Sequence, residues 1–121
     1  MIPRLKPYLG WEEALTIFQN TQDAVPRFEK AFATQFGCQH SIAFPYGRSA
    51  LWAVLNTMGL KGIEVVQPAY TCSVVAHATV LSGNIPVFVD CNLTDYNMDL
   101  EKFSGAITAL TEAVIPTQIF G

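Results

Sequence analysis

Hydrophobic residues in the first forty positions recur every three or four residues, the spacing of one face of a helix. The two sets are Trp11, Leu15 and Phe18, followed by Phe28, Phe32 and Phe36. Pro26 suits the first turn of the second helix, where its missing N–H would be unpaired anyway, and Gly37 is placed to end it. The pattern predicts one helix over 11–18 and a second from 26 to 36.

From residue 41 onward, short apolar runs alternate with helical stretches. The predicted strands are 41–44, 63–66, 85–89 and 113–116, and the predicted helices are 48–58, 71–81 and a third that starts after Asp99 as its N-cap. This alternation indicates parallel βαβ units with right-handed crossovers. The strands are almost continuously apolar, as buried parallel strands are. We therefore predict an α/β fold of three layers, α/β/α, with a mainly parallel sheet.

Composition limits the classes of function. The chain has 121 residues, of which 50% are hydrophobic and only 14% charged, whereas soluble domains carry about 25% charged residues. So little charge indicates one part of a larger core or half of an oligomer. The net charge of −3 without a basic run excludes a dedicated nucleic-acid binder. The apolar runs are too short for a membrane span and residues 1–7 do not form a secretory signal, so we expect a cytoplasmic protein without membrane contact.

The three cysteines are Cys38, Cys72 and Cys91, an odd number without CxxC spacing. They are typical of reduced intracellular thiols rather than disulfides or a zinc site. His77 lies inside a predicted helix with no histidine or carboxylate four residues away, so we predict no metal site. Asp90 and Asn92, at the end of the third strand, are interpreted as turn residues.

Candidate chemistry lies at the carboxyl ends of the strands, where open α/β sheets bind their ligands. After the first strand, Gly47, Arg48 and Ser49 open a helix and form a potential anion site. A turn glycine with a capping serine and a solvated arginine explains the same residues. Tyr70 and Cys72 follow the second strand, and Gln118 follows the fourth at the same edge.

Five sequence segments in a fixed order carry a resemblance to a known family. They are FEKAFA at 28–33 with FG at 36–37, GRSAL at 47–51, LKGIEVV at 60–66 with PAYTC at 68–72, GNIPVFVD at 83–90, and AVIP at 113–116 with FG at 120–121. Residues 28–121 resemble the N-terminal part of the DegT/StrS-type sugar aminotransferases, which are pyridoxal-phosphate enzymes of the aspartate-aminotransferase fold. The resemblance implies an arm and helix over 1–25 and the incomplete N-terminal part of the large, cofactor-binding domain over 26–121.

The resemblance also implies a cofactor site. The Gly47–Ser49 turn, with Arg48 between, would hold the phosphate of pyridoxal 5′-phosphate. Cys72 stands where the family usually has an aromatic ring stacked on the pyridine, and Tyr70 is a candidate to supply that ring instead. Gln118 stands where the family often has a histidine near the cofactor.

No residue of the chain matches the family's catalytic lysine. The four lysines are Lys6, Lys30, Lys61 and Lys102, and none lies in the motif of the Schiff-base lysine, which in the family comes later in the sequence. We expect the N-terminal part of an enzyme that transfers an amino group from glutamate or a similar donor to a nucleotide-linked keto-sugar. The full enzyme would be a homodimer, and this chain would be inactive alone.

Two other interpretations stay open from the sequence. One is a non-catalytic α/β module that keeps only the phosphate site and docks on a full-length aminotransferase. The other is an unrelated flavodoxin-like domain, for which the order of the motifs would be a coincidence.

Overall fold

The computed structural model describes residues 10–16, 18 and 22–119. The chain divides into two compact units, Met1–Ala43 and Phe44–Gly121. The division expected after residue 25, between an arm and the cofactor domain, stays a prediction. The proposed arm over 1–9 lies outside the described residues, as does the terminal Phe120–Gly121 pair. Along the described parts of the chain, no helix is both long enough and apolar enough to cross a membrane.

The first unit contains helices α1 (Trp11–Thr16) and α2 (Ala24–Gln35). The aromatic stripe on α2 is confirmed, because the Phe32 ring lies 5.9 Å from that of Phe28 and 4.4 Å from that of Phe36 between centroids. Gly37 ends the helix with φ of 65°, a left-handed conformation that glycine adopts readily.

The strand predicted over 41–44 is wrong. Its polar groups bond to helix α2 instead of to another strand: the Ala43 N–H donates to the Glu29 carboxylate (2.8 Å) and the Ser41 hydroxyl donates to the Glu29 carbonyl (2.6 Å). A strand requires a neighbouring backbone to pair with, and the apolar run alone does not supply one.

The second unit contains the sheet and its helices. Its elements are α3 (Gly47–Thr57), β1 (Glu64–Pro68), α4 (Val74–Leu81), β2 (Ile85–Val89), α5 (Leu100–Ala106) and β3 (Thr111–Val114). The described sheet has three strands in the order β2-β1-β3, and both pairings are parallel. The predicted α/β class with a parallel sheet is therefore confirmed. Strand β3 starts two residues before the expected 113–116, with an irregular register opposite Glu64 and Val65.

The core of this unit lies around the central strand. Val65 and Val66 of β1 are completely buried, while α4 packs against both β1 and β2 and α3 packs against α4. The edge strands are covered less well, since Ile85 and Phe88 of β2 are each about half exposed. Pro86 lies on this edge strand, where its missing N–H costs no interior hydrogen bond.

Candidate functional site

Helix α3 begins with backbone donors for which the described residues show no side-chain acceptor. Tyr46, the residue before the helix, has extended backbone and its side chain caps nothing. Its carbonyl accepts hydrogen bonds from the N–H groups of Ser49 (3.0 Å) and Ala50 (3.2 Å). The N–H groups of Gly47 and Arg48, in the first turn, have no acceptor within the helix. Together with the positive end of the helix dipole, they favour an anion.

A cavity of about 500 Å³ opens between the first turns of α3 and α4. It is lined by Tyr46, Gly47, Arg48, Leu51, Val74 and Val75. Helix α4 also starts without a side-chain cap, because Ser73 makes no capping hydrogen bond. Two helix N-termini therefore face one largely apolar cavity.

Glycine at position 47 is not explained by the fold of this unit. Gly47 is not among the glycines with positive φ, and a Cβ placed on it would meet no atom within 4 Å. The open space beside the backbone therefore admits a ligand close to the N–H groups. A phosphate ester with an aromatic ring fits this combination of bare donors, open backbone and apolar wall.

Arg48 adds the positive charge at this helix start. Its guanidinium carbon lies 4.9 Å from the centre of the Tyr46 ring, within the range of a cation–π interaction. Among the described residues the ion pair that forms is Lys102 with Asp90, so no carboxylate of this part of the chain pairs with Arg48. Arg48 also lines a second cavity, of about 360 Å³, to which Ser49 contributes. The structure thus groups Gly47, Arg48 and Ser49 around two neighbouring cavities.

The other predicted site residues lie outside these cavities. Tyr70 is in the loop after β1 and pairs with the ring of Tyr96, at 5.9 Å between centroids. Cys72 is an exposed free thiol in the same loop, and Gln118 is exposed beyond β3. All three follow the carboxyl ends of strands, but none lines the cavity at Gly47.

Two buried polar atoms beside this loop have no hydrogen-bond partner in the described chain, Gln67 Nε2 and Thr71 Oγ1. Gln67 is completely buried in β1 and accepts one hydrogen bond, from the Thr79 hydroxyl at 3.2 Å. From the sequence, Thr71 is a candidate cap of the helix predicted over 71–81, and no specific role is predicted for Gln67. A glutamine within an apolar strand was the available signal, because a buried amide requires partners.

The loop after β2 contains the acidic residues of this edge. Asn92 has the predicted turn role, since its side-chain oxygen accepts from the N–H groups of Thr94 and Asp95. Asp90 accepts a hydrogen bond from the Lys102 ammonium at 3.0 Å. This contact lowers the pKa of Asp90 and raises the pKa of Lys102. Nowhere in residues 22–119 do three or more metal-binding side chains form a cluster.

Comparison with known proteins identifies the family. The sequence matches the DegT/DnrJ/EryC1/StrS aminotransferase family over residues 13–121. The chain belongs to that family. The resemblance carried by the five segments is therefore confirmed.

Two relatives and one solved structure align with most of this chain. GDP-perosamine synthase of Caulobacter vibrioides is 37% identical over 98 residues, which is 80% of this chain and 26% of that protein. UDP-2-acetamido-2-deoxy-3-oxo-D-glucuronate aminotransferase of Pseudomonas aeruginosa is 34% identical, over 80% of this chain and 27% of that protein. The crystal structure of NtdA from Bacillus subtilis, solved with bound PMP, superposes with a TM-score of 0.76 at 30% identity, over 91% of this chain and 26% of that one. The chain spans about a quarter of the length of these relatives.

Proposed function

We propose that this chain forms the phosphate-binding part of a pyridoxal-phosphate-dependent aminotransferase that acts on a nucleotide-linked keto-sugar. The observation that carries the proposal is the uncapped start of α3 beside an open glycine and a largely apolar cavity. Family membership supports the reaction class. The names of two relatives, GDP-perosamine synthase and UDP-2-acetamido-2-deoxy-3-oxo-D-glucuronate aminotransferase, support the substrate class.

Three residues would hold the phosphate. The N–H groups of Gly47 and Arg48 donate to phosphate oxygens, the Ser49 hydroxyl donates a further hydrogen bond, and the Arg48 guanidinium offsets the negative charge. The bound cofactor supplies the electron sink that amino-group transfer requires.

Three more residues complete the proposed cofactor site. Tyr70 and Cys72 follow β1, and Gln118 follows β3, so all lie at the carboxyl edge of the sheet. Tyr70 offers an aromatic face to the planar cofactor ring, and Cys72 offers a polarizable sulfur. Gln118 offers an amide donor to a polar group on that ring.

We also propose that the 121-residue chain binds the cofactor without transaminating. None of the described lysines lines the cavity at α3: Lys30 lies on α2, Lys61 precedes β1, and Lys102 is paired with Asp90. A working enzyme would take its catalytic lysine from further sequence or from a partner chain. Dimeric assembly and a cytoplasmic location belong to the same proposal.

The alternative function is a non-catalytic phosphate-binding module that docks on a full-length aminotransferase. The same observation favours it, because the grouped site residues Gly47, Arg48 and Ser49 bind an anion and none of them transfers an amino group. A stable monomer that binds the cofactor with no change in its oligomeric state would support the module, whereas assembly into dimers would support the enzyme part.

Equilibrium dialysis with pyridoxal phosphate tests the site. We expect saturable binding that inorganic phosphate competes away, and a loss of affinity of about tenfold or more in Gly47→Ala, because the added methyl fills the space that the phosphate needs. Gly105→Ala is the matched control: a Cβ there also meets nothing within 4 Å, and Gly105 lies in α5. Equal affinities for the two variants would contradict the proposal.

Borohydride reduction tests the absence of a catalytic lysine. After incubation with pyridoxal phosphate and reduction, peptide mass mapping should find no stoichiometric adduct at a single lysine. An adduct concentrated on one of the four lysines would show that the chain carries its own covalent cofactor site.

A further inference from the structure

The loop between β2 and α5, residues 90–99, is held by its own side chains. The Asn92 side-chain oxygen accepts from the N–H groups of Thr94 (2.9 Å) and Asp95 (3.0 Å). The Asp95 carboxylate accepts from the N–H of Asn97 at 2.9 Å. These bonds fix turns within the 90–99 loop.

Backbone hydrogen bonds also join the two ends of the 90–99 loop. Cys91 and Met98 form an antiparallel bridge, the Asn92 N–H donates to the Asn97 carbonyl at 3.0 Å, and the Asp99 N–H donates to the Asp90 carbonyl at 3.0 Å. The loop is therefore a small closed unit anchored between β2 and α5.

Tyr96 has an unfavourable backbone conformation in this loop. Its φ is 61°, a left-handed value that no other non-glycine residue of the described chain adopts. Such a conformation costs a bulky residue about 1 kcal/mol or more, so it persists only where surrounding contacts impose it. Glycine or asparagine would suit this backbone better than tyrosine. The tyrosine side chain is therefore expected to have a role that compensates for this cost.

The side chain of Tyr96 contacts the loop that carries the proposed cofactor residues. Its ring lies 5.9 Å from that of Tyr70, tilted by 45°, the spacing of a favourable aromatic pair. Both residues are 46% exposed, so part of each side chain is accessible to solvent. The Ala69 N–H donates to the Val89 carbonyl at 2.7 Å, which ties the loop after β1 to the last residue of β2, next to the 90–99 loop.

We propose that Tyr96 is a positioning residue for Tyr70. The 90–99 loop holds the Tyr70 ring in place to contact the planar ring of the cofactor, a contact that Cys72 cannot make because it has no aromatic group. The inference rests on the proposed function, because it assumes that the cofactor ring lies near Tyr70. Tyr96 acts through Tyr70 and need not touch the cofactor.

Three variants of the full chain separate the ring of Tyr96 from its backbone. Tyr96→Asn removes the ring and keeps a residue that tolerates positive φ. Tyr96→Phe keeps the ring and removes only the hydroxyl. Leu93→Ala is the control in the same loop, since Leu93 is 88% exposed.

Two measurements follow on each variant. In NMR spectra without cofactor, the ring resonances of Tyr70 should shift in Tyr96→Asn and stay near the wild-type positions in Tyr96→Phe and Leu93→Ala. In equilibrium dialysis, Tyr96→Asn should weaken pyridoxal-phosphate binding about two- to tenfold, the range of one aromatic contact. Tyr96→Phe should bind with nearly the wild-type affinity, because it keeps the ring. A loss of affinity in Tyr96→Phe equal to that in Tyr96→Asn would assign the effect to the hydroxyl instead of the ring.

A double-mutant cycle tests whether Tyr96 acts through Tyr70. Tyr70→Ala combined with Tyr96→Asn should bind no more weakly than Tyr70→Ala alone. Additive losses, or unchanged Tyr70 resonances in Tyr96→Asn, would overturn the positioning role while leaving the phosphate site intact. If the wild-type chain shows no saturable binding, the proposed function itself fails, and the cofactor role of Tyr96 fails with it even where the Tyr70 resonances move.

Discussion

The starts of helices α3 and α5 differ in how they satisfy their backbone donors. At α5 the Asp99 carboxylate accepts from the N–H groups of Glu101 (2.9 Å) and Lys102 (3.2 Å). At α3 the preceding residue, Tyr46, offers no side-chain acceptor. Both helices lie in the same compact unit. A side chain satisfies two first-turn donors at α5, whereas the described residues provide no side-chain cap at α3.

Charge at the two helix starts differs in the same way. Helix α5 has Asp99 before it and Glu101 in its first turn, which the helix dipole favours. Helix α3 has no acidic residue in its first turn and carries Arg48 there, next to the dipole's positive end. That arrangement disfavours the free helix but suits a bound anion. The difference teaches that a helix start with a positive charge and no side-chain cap is informative when another helix of the same unit has an acidic N-cap.

The largest expected effect comes from giving α3 the acidic residue that α5 has. Ser49→Asp should lower the affinity for pyridoxal phosphate by at least about tenfold, because two like charges about 4 Å apart near a protein surface repel by about 4 kcal/mol before screening. The same change should leave the melting temperature unchanged or raise it, since an acidic side chain in the first turn contributes about 0.3–1 kcal/mol to a helix. Dialysis and thermal unfolding of one preparation measure both.

Ser49→Asn is the uncharged control for this experiment. It should retain more affinity than Ser49→Asp, because it keeps a polar group without the charge. If Ser49→Asp binds as tightly as the wild-type chain, the α3 start is not the phosphate site and the contrast with α5 has no functional meaning.

The second largest effect should come from removing the N-cap of α5, and it should change the stability of the chain without changing its affinity for the cofactor. Asp99→Ala removes the N-cap and should lower the free energy of unfolding by about 1 kcal/mol, within a range of 0.5–2 kcal/mol. Affinity for pyridoxal phosphate should not change. Urea unfolding measures the loss, and Asp99→Ser should recover most of it because serine also caps. A loss of cofactor affinity without a loss of stability would reverse the roles assigned to the two helix starts.

The sequence predicts correctly those parts of the fold that depend on neighbouring residues. The stripe of Phe28, Phe32 and Phe36, the cap Asp99 and the strand Ile85–Val89 each depend on neighbouring residues, and each is confirmed. The Gly47 turn was recognised because a glycine followed by a helix start is also a local pattern. The assignment of the phosphate to it stays a prediction.

The features that the sequence did not predict depend on distant partners. The strand over 41–44 failed because Glu29, twelve or more residues earlier, takes its hydrogen bonds. The positive φ of Tyr96 goes against the preference of tyrosine and reflects the closed 90–99 loop. The partner of the buried Gln67 amide comes from α4, through Thr79. Side-chain spacing along the chain does not encode such contacts.

The smallest expected effect is a pH dependence of stability on the α5 side. The hydrogen bond from Lys102 lowers the pKa of Asp90 below its usual value of 3.8. The Asp90 carboxylate therefore binds a proton more tightly in the unfolded chain than in the folded one. The Asp90–Lys102 pair then adds to the free energy of unfolding above pH 3.8, and this contribution is lost as the pH falls below that value. Because both side chains are more than half exposed, the contribution should be small and should shrink further in high salt.

Asp90→Asn isolates this contribution. Its free energy of unfolding, measured by urea on both sides of pH 3.8, should vary less with pH than that of the wild-type chain, and the two curves should converge in high salt. Since Asp90 pairs with Lys102 of α5 and does not line the cavity at α3, the affinity for pyridoxal phosphate should match the wild type. Parallel pH curves for the two proteins would mean that the pair stabilises nothing, and a changed affinity would mean that the two helix starts are coupled.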